Sequence, residues 1–195
     1  SLLTMGGTGE SLTLPRETKK RAMELAVKTV NHRVPVIASV VELSVYDAIE
    51  SAKVVKESGA DVLLLSNPYG GNTRLSGVID FFKMVDDAVD MPMIIYNFPG
   101  RTGYNVTPDI VGKLLDAVPN ICGIKECAER FEQTMELIGH FGDRMAVLSG
   151  NEFLGAWEML CGADGCVVAT GNVMIKELVK LYDIAKSGDI AKTTE

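Results

Sequence analysis

Gly59-Ala60-Asp61-Val62-Leu63-Leu64-Leu65-Ser66 joins a helix stop to a strand that has no polar position between Val62 and Leu65. An antiparallel strand with one wet face would alternate, whereas an unbroken apolar run is what a strand buried on both faces needs. Gly59 closes the amphipathic stretch Val45 to Ser58, so helix and strand follow each other with almost no connecting chain.

The same alternation extends in both directions. Apolar runs at Leu2 to Met5, Val34 to Val40, Val62 to Ser66, Pro92 to Asn97, Ile121 to Lys125, Ala146 to Ser149 and Cys166 to Ala169 read as strands. Between them, Pro15 to Val30, Val45 to Ser58, Gly77 to Ala88, Pro108 to Ala117, Arg130 to Phe141, Phe153 to Cys161 and Met174 to Lys186 read as helices. Pro15 and Pro108 stand where a first helical turn accepts proline. Repeated βα units predict a parallel sheet covered by helices, either a (β/α)8 TIM barrel or an open doubly wound sheet. Seven units is one short of a barrel, and the chain opens in a strand. The expectation is a single α/β barrel domain over residues 1–195, incomplete at both ends and lacking the first βα unit and the tail.

With 195 residues, 47% hydrophobic and 23% charged, the chain can bury a substantial core. A net charge of −7 argues against a nucleic-acid surface, which needs clustered Lys and Arg. No apolar run reaches the about 18 residues that span a bilayer, and no basic segment precedes the apolar start. A cytoplasmic protein acting on small molecules is expected. Cys122, Cys127, Cys161 and Cys166 lack zinc-site spacing and read as reduced, mostly buried thiols of a reducing compartment.

In a parallel α/β fold the reactive groups gather where strands end. Strand parity sets Lys125 on the face of Ile121 and Gly123, either as an amine reaching solvent or as one held in the interior, where its neutral, imine-forming state is favoured. Tyr96 ends another strand, ahead of the stiff loop Asn97-Phe98-Pro99-Gly100-Arg101-Thr102-Gly103. Its phenol can move protons, and Arg101 can clamp a carboxylate. Read singly, a core-capping tyrosine and a solvated arginine serve equally well. Gly6-Gly7-Thr8-Gly9-Glu10 is a turn suited to an anion, without the lysine of a phosphate loop or dinucleotide-type glycine spacing.

Taken in order, Gly-Gly-Thr-Gly-Glu at 6–10, Asn67-Pro68-Tyr69, Tyr96 to Gly103, Gly123-Ile124-Lys125-Glu126, Ser149-Gly150 and Gly162-Ala163-Asp164-Gly165 resemble the dihydrodipicolinate synthase and N-acetylneuraminate lyase superfamily across essentially the whole chain. The resemblance implies a (β/α)8 barrel, usually a homotetramer or dimer, that needs neither metal nor organic cofactor and works on a 2-keto acid and an aldehyde. It implies Lys125 as the Schiff-base lysine and Tyr96 as general acid/base. Thr8 and the backbone at Gly7 would hold the keto-acid carboxylate, and Arg101 the carboxylate of the second substrate. Val167 and Val168 would line the pyruvate pocket, while Asn151 and Glu152 lie where lyases of the family touch sugar hydroxyls. This sequence departs from the synthase pattern at Gly7, where a threonine is expected, and at Gly70, where a tyrosine is expected. Those departures leave open a 2-keto-3-deoxy sugar acid aldolase or dehydratase, or a catalytically silent keto-acid-binding barrel.

Overall fold

A computed structural model describes residues 1–69 and 73–194. Two compact units form, the first comprising Ser1–Cys122 and the second beginning at Gly123. Among the described residues of the first unit, β1 (Leu2–Thr4), α1 (Arg16–Val30), β2 (Val36–Val40), α2 (Val45–Glu57), β3 (Val62–Ser66), α3 (Leu75–Val89), β4 (Met93–Asn97), a single turn α4 (Pro99–Thr102) and α5 (Pro108–Ala117) follow in order. β5 (Ile121–Glu126) runs on into the second unit, which continues with α6 (Phe131–Phe141), β6 (Ala146–Ser149), α7 (Gly155–Leu160), β7 (Gly165–Cys166), α8 (Ile175–Lys186) and α9 (Ile190–Thr194).

Within the first unit β1 to β4 pair in parallel with their sequence neighbours, Leu63 opposite Met93 and Ser66 opposite Tyr96. Every residue of β2 and β4 is buried, as the apolar runs predict. The covering helices bury one stripe each. In α2 the stripe is Ala48, Ala52 and Val55, and Ser44 caps the helix by accepting from the backbone N–H of Tyr46 and Asp47 at 3.2 and 3.4 Å. In α3 it is Val78, Phe81, Phe82, Val85, Asp86 and Val89. Burial of each large apolar side chain contributes about 1.5–3 kcal/mol.

In the second unit β5, β6 and β7 pair in parallel, with Lys125 opposite Leu148 and Leu148 opposite Gly165. Met159, Ala163 and Ala185 form a core with Ile138, Leu160, Cys166 and Leu181 packed against them. Thr134 donates its hydroxyl to the buried Glu158 carboxylate at 2.7 Å.

One device recurs in both units. At Gly59-Ala60-Asp61 the Asp61 N–H donates to Val36 O at 2.9 Å while its carboxylate accepts from Val36 N–H at 2.7 Å. At Gly162-Ala163-Asp164 the Asp164 N–H donates to Val147 O, and its carboxylate accepts from Val147 N–H, both at 2.8 Å. Gly59 at φ 81 and Gly162 at φ 116 make the left-handed turn that aims each aspartate back at the neighbouring strand. The Gly-Ala-Asp repetition is the sequence signal for this clamp.

The structure corrects two expectations. The last strand is Gly165–Cys166 rather than Cys166 to Ala169, because Ala169–Asn172 turns into a 3-10 helix. The thiols are not mostly buried: Cys127 is, Cys166 is half-buried, and Cys122 and Cys161 are exposed. Cys122 takes the face of β5 opposite Ile121 and Gly123, and Cys161 is the residue that closes α7. Gly70 lies outside the described residues.

Candidate active site

The ends of the first unit's strands open on a cavity of about 390 Å³. Gly7 and Glu10 line it from the 3-10 turn Gly7–Gly9 that follows β1, Ser66 and Tyr69 from the end of β3, and Tyr96, Phe98 and Arg101 from the end of β4 and from α4. Tyr96 is 6% exposed and its ring centroid lies 6.0 Å from that of Phe98. The Arg101 guanidinium covers the Phe98 ring, with Cζ 4.9 Å from the centroid. Burial pushes the Tyr69 phenol above its ordinary pKa, and the Arg101 charge opposes that rise.

Backbone geometry explains why this loop is stiff. Phe98 O accepts from the N–H groups of Arg101 and Thr102 at 2.9 and 3.0 Å, and Pro99 O accepts from Gly103 N–H at 2.9 Å. Asn97 donates to the Asn105 side-chain oxygen at 2.9 Å and accepts from Val106 N–H at 2.9 Å, pinning the far end of the loop. Thr8 is exposed on the 3-10 turn and is not part of the cavity wall.

In the second unit Lys125 is the penultimate residue of β5 and is 9% exposed, so a lysine amine is held back from bulk water. The next residue, Glu126, is 1% exposed and accepts from Ala128 N–H at 2.6 Å and from the Gln133 amide at 2.9 Å. These bonds fix the chain immediately after the lysine. Gly150 N–H donates to Glu126 O at 2.7 Å, and Val167 N–H donates to Ser149 O at 2.7 Å, so Val167 continues the pairing beyond β7. Glu152 is exposed and its Oε1 accepts from the N–H groups of Ala169 and Thr170 at 2.8 and 3.3 Å. It anchors the 3-10 turn after β7, and its charge adds to the burial that raises the Cys166 thiol. Asn151 accepts from Phe153 and Leu154 N–H at 2.8 and 3.2 Å, closing the turn into α7.

The structure thus brings Gly7, Tyr96 and Arg101 to one cavity wall, and in the second unit it places Lys125 near the end of β5, Val167 directly after β7 and Glu152 in the loop after β6. Phe98 and Gly150 stand within two of the sequence motifs, but the sequence pattern assigns neither a role of its own. Their signals are the aromatic residue ahead of the Pro-Gly turn and the glycine directly after a strand. Among the described residues there is no cluster of His, Cys, Asp or Glu able to hold a metal ion. No helix among them is long and apolar enough to cross a membrane.

Residues 1–195 match the Dihydrodipicolinate synthetase family over their whole length. The chain is 39% identical over 195 residues to the 4-hydroxy-tetrahydrodipicolinate synthase of Geotalea uraniireducens, covering 100% of this chain and 67% of that protein. It is 38% identical over 185 residues to the synthase of the same name from Pelobacter propionicus, covering 95% and 63%. Among solved structures, the dihydrodipicolinate synthase of Aquifex aeolicus matches with a TM-score of 0.93 at 34% identity, over 98% of this chain and 66% of that one. The Acinetobacter baumannii dihydrodipicolinate synthase complexed with pyruvate matches with a TM-score of 0.94 at 33% identity, over the same shares.

The chain therefore belongs to the dihydrodipicolinate synthetase family, and its α/β fold is of the (β/α)8 type that the sequence predicts. It spans about two thirds of the length of the curated relatives it matches, 63% and 67% of the two named here.

Proposed function

We propose that this protein is a Schiff-base-forming lyase that acts on pyruvate or a related 2-keto acid, with Lys125 as the amine. The observation that carries the reading is a lysine 9% exposed at the end of a parallel strand, in a chain of this family. A lysine is rarely held so far from water without a reason, and imine formation uses the amine in its neutral state.

The neutral amine of Lys125 attacks the ketone carbon, and loss of water gives the imine. The imine draws electrons from C3 as a proton leaves it, and the resulting enamine carbon adds to an aldehyde. Water then returns the amine and releases the product. Tyr96 handles the protons of these steps, its ring fixed by burial and its hydroxyl at the strand end. The backbone of the first turn at Gly7 and Thr8 holds the keto-acid carboxylate, with the exposed Thr8 side chain outside the cavity wall, and Val167 lines the keto-acid pocket. Arg101 receives a carboxylate on the aldehyde.

That last assignment favours condensation with an acid-bearing aldehyde over the chemistry of neutral sugars. A 2-keto-3-deoxy sugar acid aldolase or dehydratase is the second reading, supported by Glu152, whose Oε1 is engaged by two backbone groups and whose Oε2 accepts no hydrogen bond among the described residues and can meet a hydroxyl. The setting that fits both is one barrel domain in a cytoplasmic homo-oligomer, taking 2-keto acid and aldehyde without metal or organic cofactor.

Borohydride reduction with pyruvate tests the reading. The expected result is a stable adduct mapped to Lys125. A folded protein that gives no adduct would overturn the lyase and leave a silent keto-acid-binding barrel. A panel of acidic and neutral aldehydes offered with pyruvate then separates the two enzyme readings.

A further inference from the structure

In the first unit the guanidinium of Arg101 occupies the space that a side chain at position 7 would fill. A β-carbon added to Gly7 would overlap Arg101 Nη1 and stand 3.0 Å from Cζ and 3.4 Å from Nη2. On one side the fork lies across the Gly7 backbone, and on the other it covers the Phe98 ring. Its charge is felt by the Tyr69 phenol, and all four residues line the same cavity of about 390 Å³. Among the described residues no carboxylate forms an ion pair with Arg101. The departure from the family's threonine at position 7 therefore does not leave an empty space.

We infer that Gly7 is a specificity-determining residue: by having no side chain it seats the Arg101 guanidinium flat against Phe98 on the cavity wall, where the fork receives the carboxylate of a short acid substrate. The inference rests on the proposed lyase reading and adds the residue that sets where the acid group is held. A planar fork binds carboxylate through two parallel hydrogen bonds, so its orientation matters as much as its charge. The ring face fixes that orientation, and the bare backbone at Gly7 is what allows the fork to reach it. A methyl group at position 7 meets the free end of a flexible side chain, so it moves the fork and leaves the fold standing.

Calorimetric binding of succinate, a four-carbon dicarboxylate, to the full chain tests this with a double-mutant cycle. Gly7→Ala and Arg101→Ala should each weaken succinate binding by about tenfold or more. The combined variant should bind no more weakly than Arg101→Ala alone, because both changes remove the same interaction. Failure of the unmodified protein to bind succinate at millimolar concentration would overturn the inference. So would wild-type affinity in either single variant, or additive losses in the double. Arg101→Ala removes an exposed side chain and keeps the test decisive should Gly7→Ala fold poorly. No imine forms in this measurement, so an absent borohydride adduct would count against the lyase reading alone.

Discussion

The backbone of Gly150 lies against the side chain of Lys125. A β-carbon at position 150 would stand 3.2 Å from Lys125 Cε and 3.0 Å from Glu126 O, and it would overlap Cys127 Sγ. Cys127 in turn donates its thiol to Gly150 O at 3.8 Å, and Gly150 N–H holds Glu126 O. Backbone and a buried thiol cannot yield as a surface side chain does. Gly150→Ala is therefore expected to lower the melting temperature by about 2–10 °C, from an overpacking cost of about 1–3 kcal/mol. The amount of pyruvate adduct trapped by borohydride should fall as well, because the lysine stem is pushed off its position. Wild-type trapping in a folded Gly150→Ala protein would show that the amine does not depend on this contact.

Lys125→Ala should abolish the trapped adduct with the fold retained, since the residue lies near the end of a strand whose pairing is made by backbone. Lys125→Arg should fail equally: a guanidinium keeps the charge and supplies no neutral amine near physiological pH. Mass spectrometry of the reduced protein reads both outcomes, and an adduct in either variant would remove Lys125 from the chemistry.

Tyr96→Phe keeps the ring that packs beside Phe98 and removes only the hydroxyl. Turnover is expected to fall by about 10²-fold or more with a small change in melting temperature. Unchanged turnover with an acidic aldehyde would mean that the phenol only packs.

Much of this was legible in the sequence because the strands are continuous apolar runs. The apolar runs give β3 at Val62–Ser66 and β6 at Ala146–Ser149 the bounds that the structure shows, and Pro108 marks the start of α5 at Pro108–Ala117. β7 is shorter than its apolar run because, after Val167 makes the last bond to the neighbouring strand, Val168 leads the backbone into a turn that Glu152 anchors from another loop. A long-range carboxylate to backbone bond leaves no local trace in a one-dimensional pattern. Arg101 was visible as a candidate clamp, but its seat on Gly7 was not, since those residues meet only through the fold. Cys122 is exposed where its residue type predicts burial, because residue type alone does not say which face of a strand it takes.

Asp86 offers a test of stability against pH. It lies on the inner stripe of α3, is 5% exposed, and its Oδ1 is buried without a hydrogen-bond partner among the described residues. Burial raises its pKa above the usual aspartate value; the Asn120 amide opposes the shift, Asp87 and Asp90 add to it, and Lys83 opposes it. A folded-state pKa above the unfolded one means that the folded protein binds this proton more tightly. The stability contributed by protonated Asp86 is therefore fully present below the unfolded value and is lost as pH rises through the raised folded value. Once ionised, the residue is a buried charge that destabilises the fold. Asp86→Asn should then raise the melting temperature at neutral pH by about 2–4 °C, corresponding to about 1 kcal/mol in a protein of this size. The advantage should shrink as the pH is lowered toward the ordinary aspartate range, where the native carboxyl takes up its proton and the two proteins carry the same charge at this position. All other carboxylates are common to both, so the difference between the two melting curves isolates this group. An equal gain at neutral and acidic pH would trace the effect to packing, and a loss at neutral pH would show that ionised Asp86 supports α3.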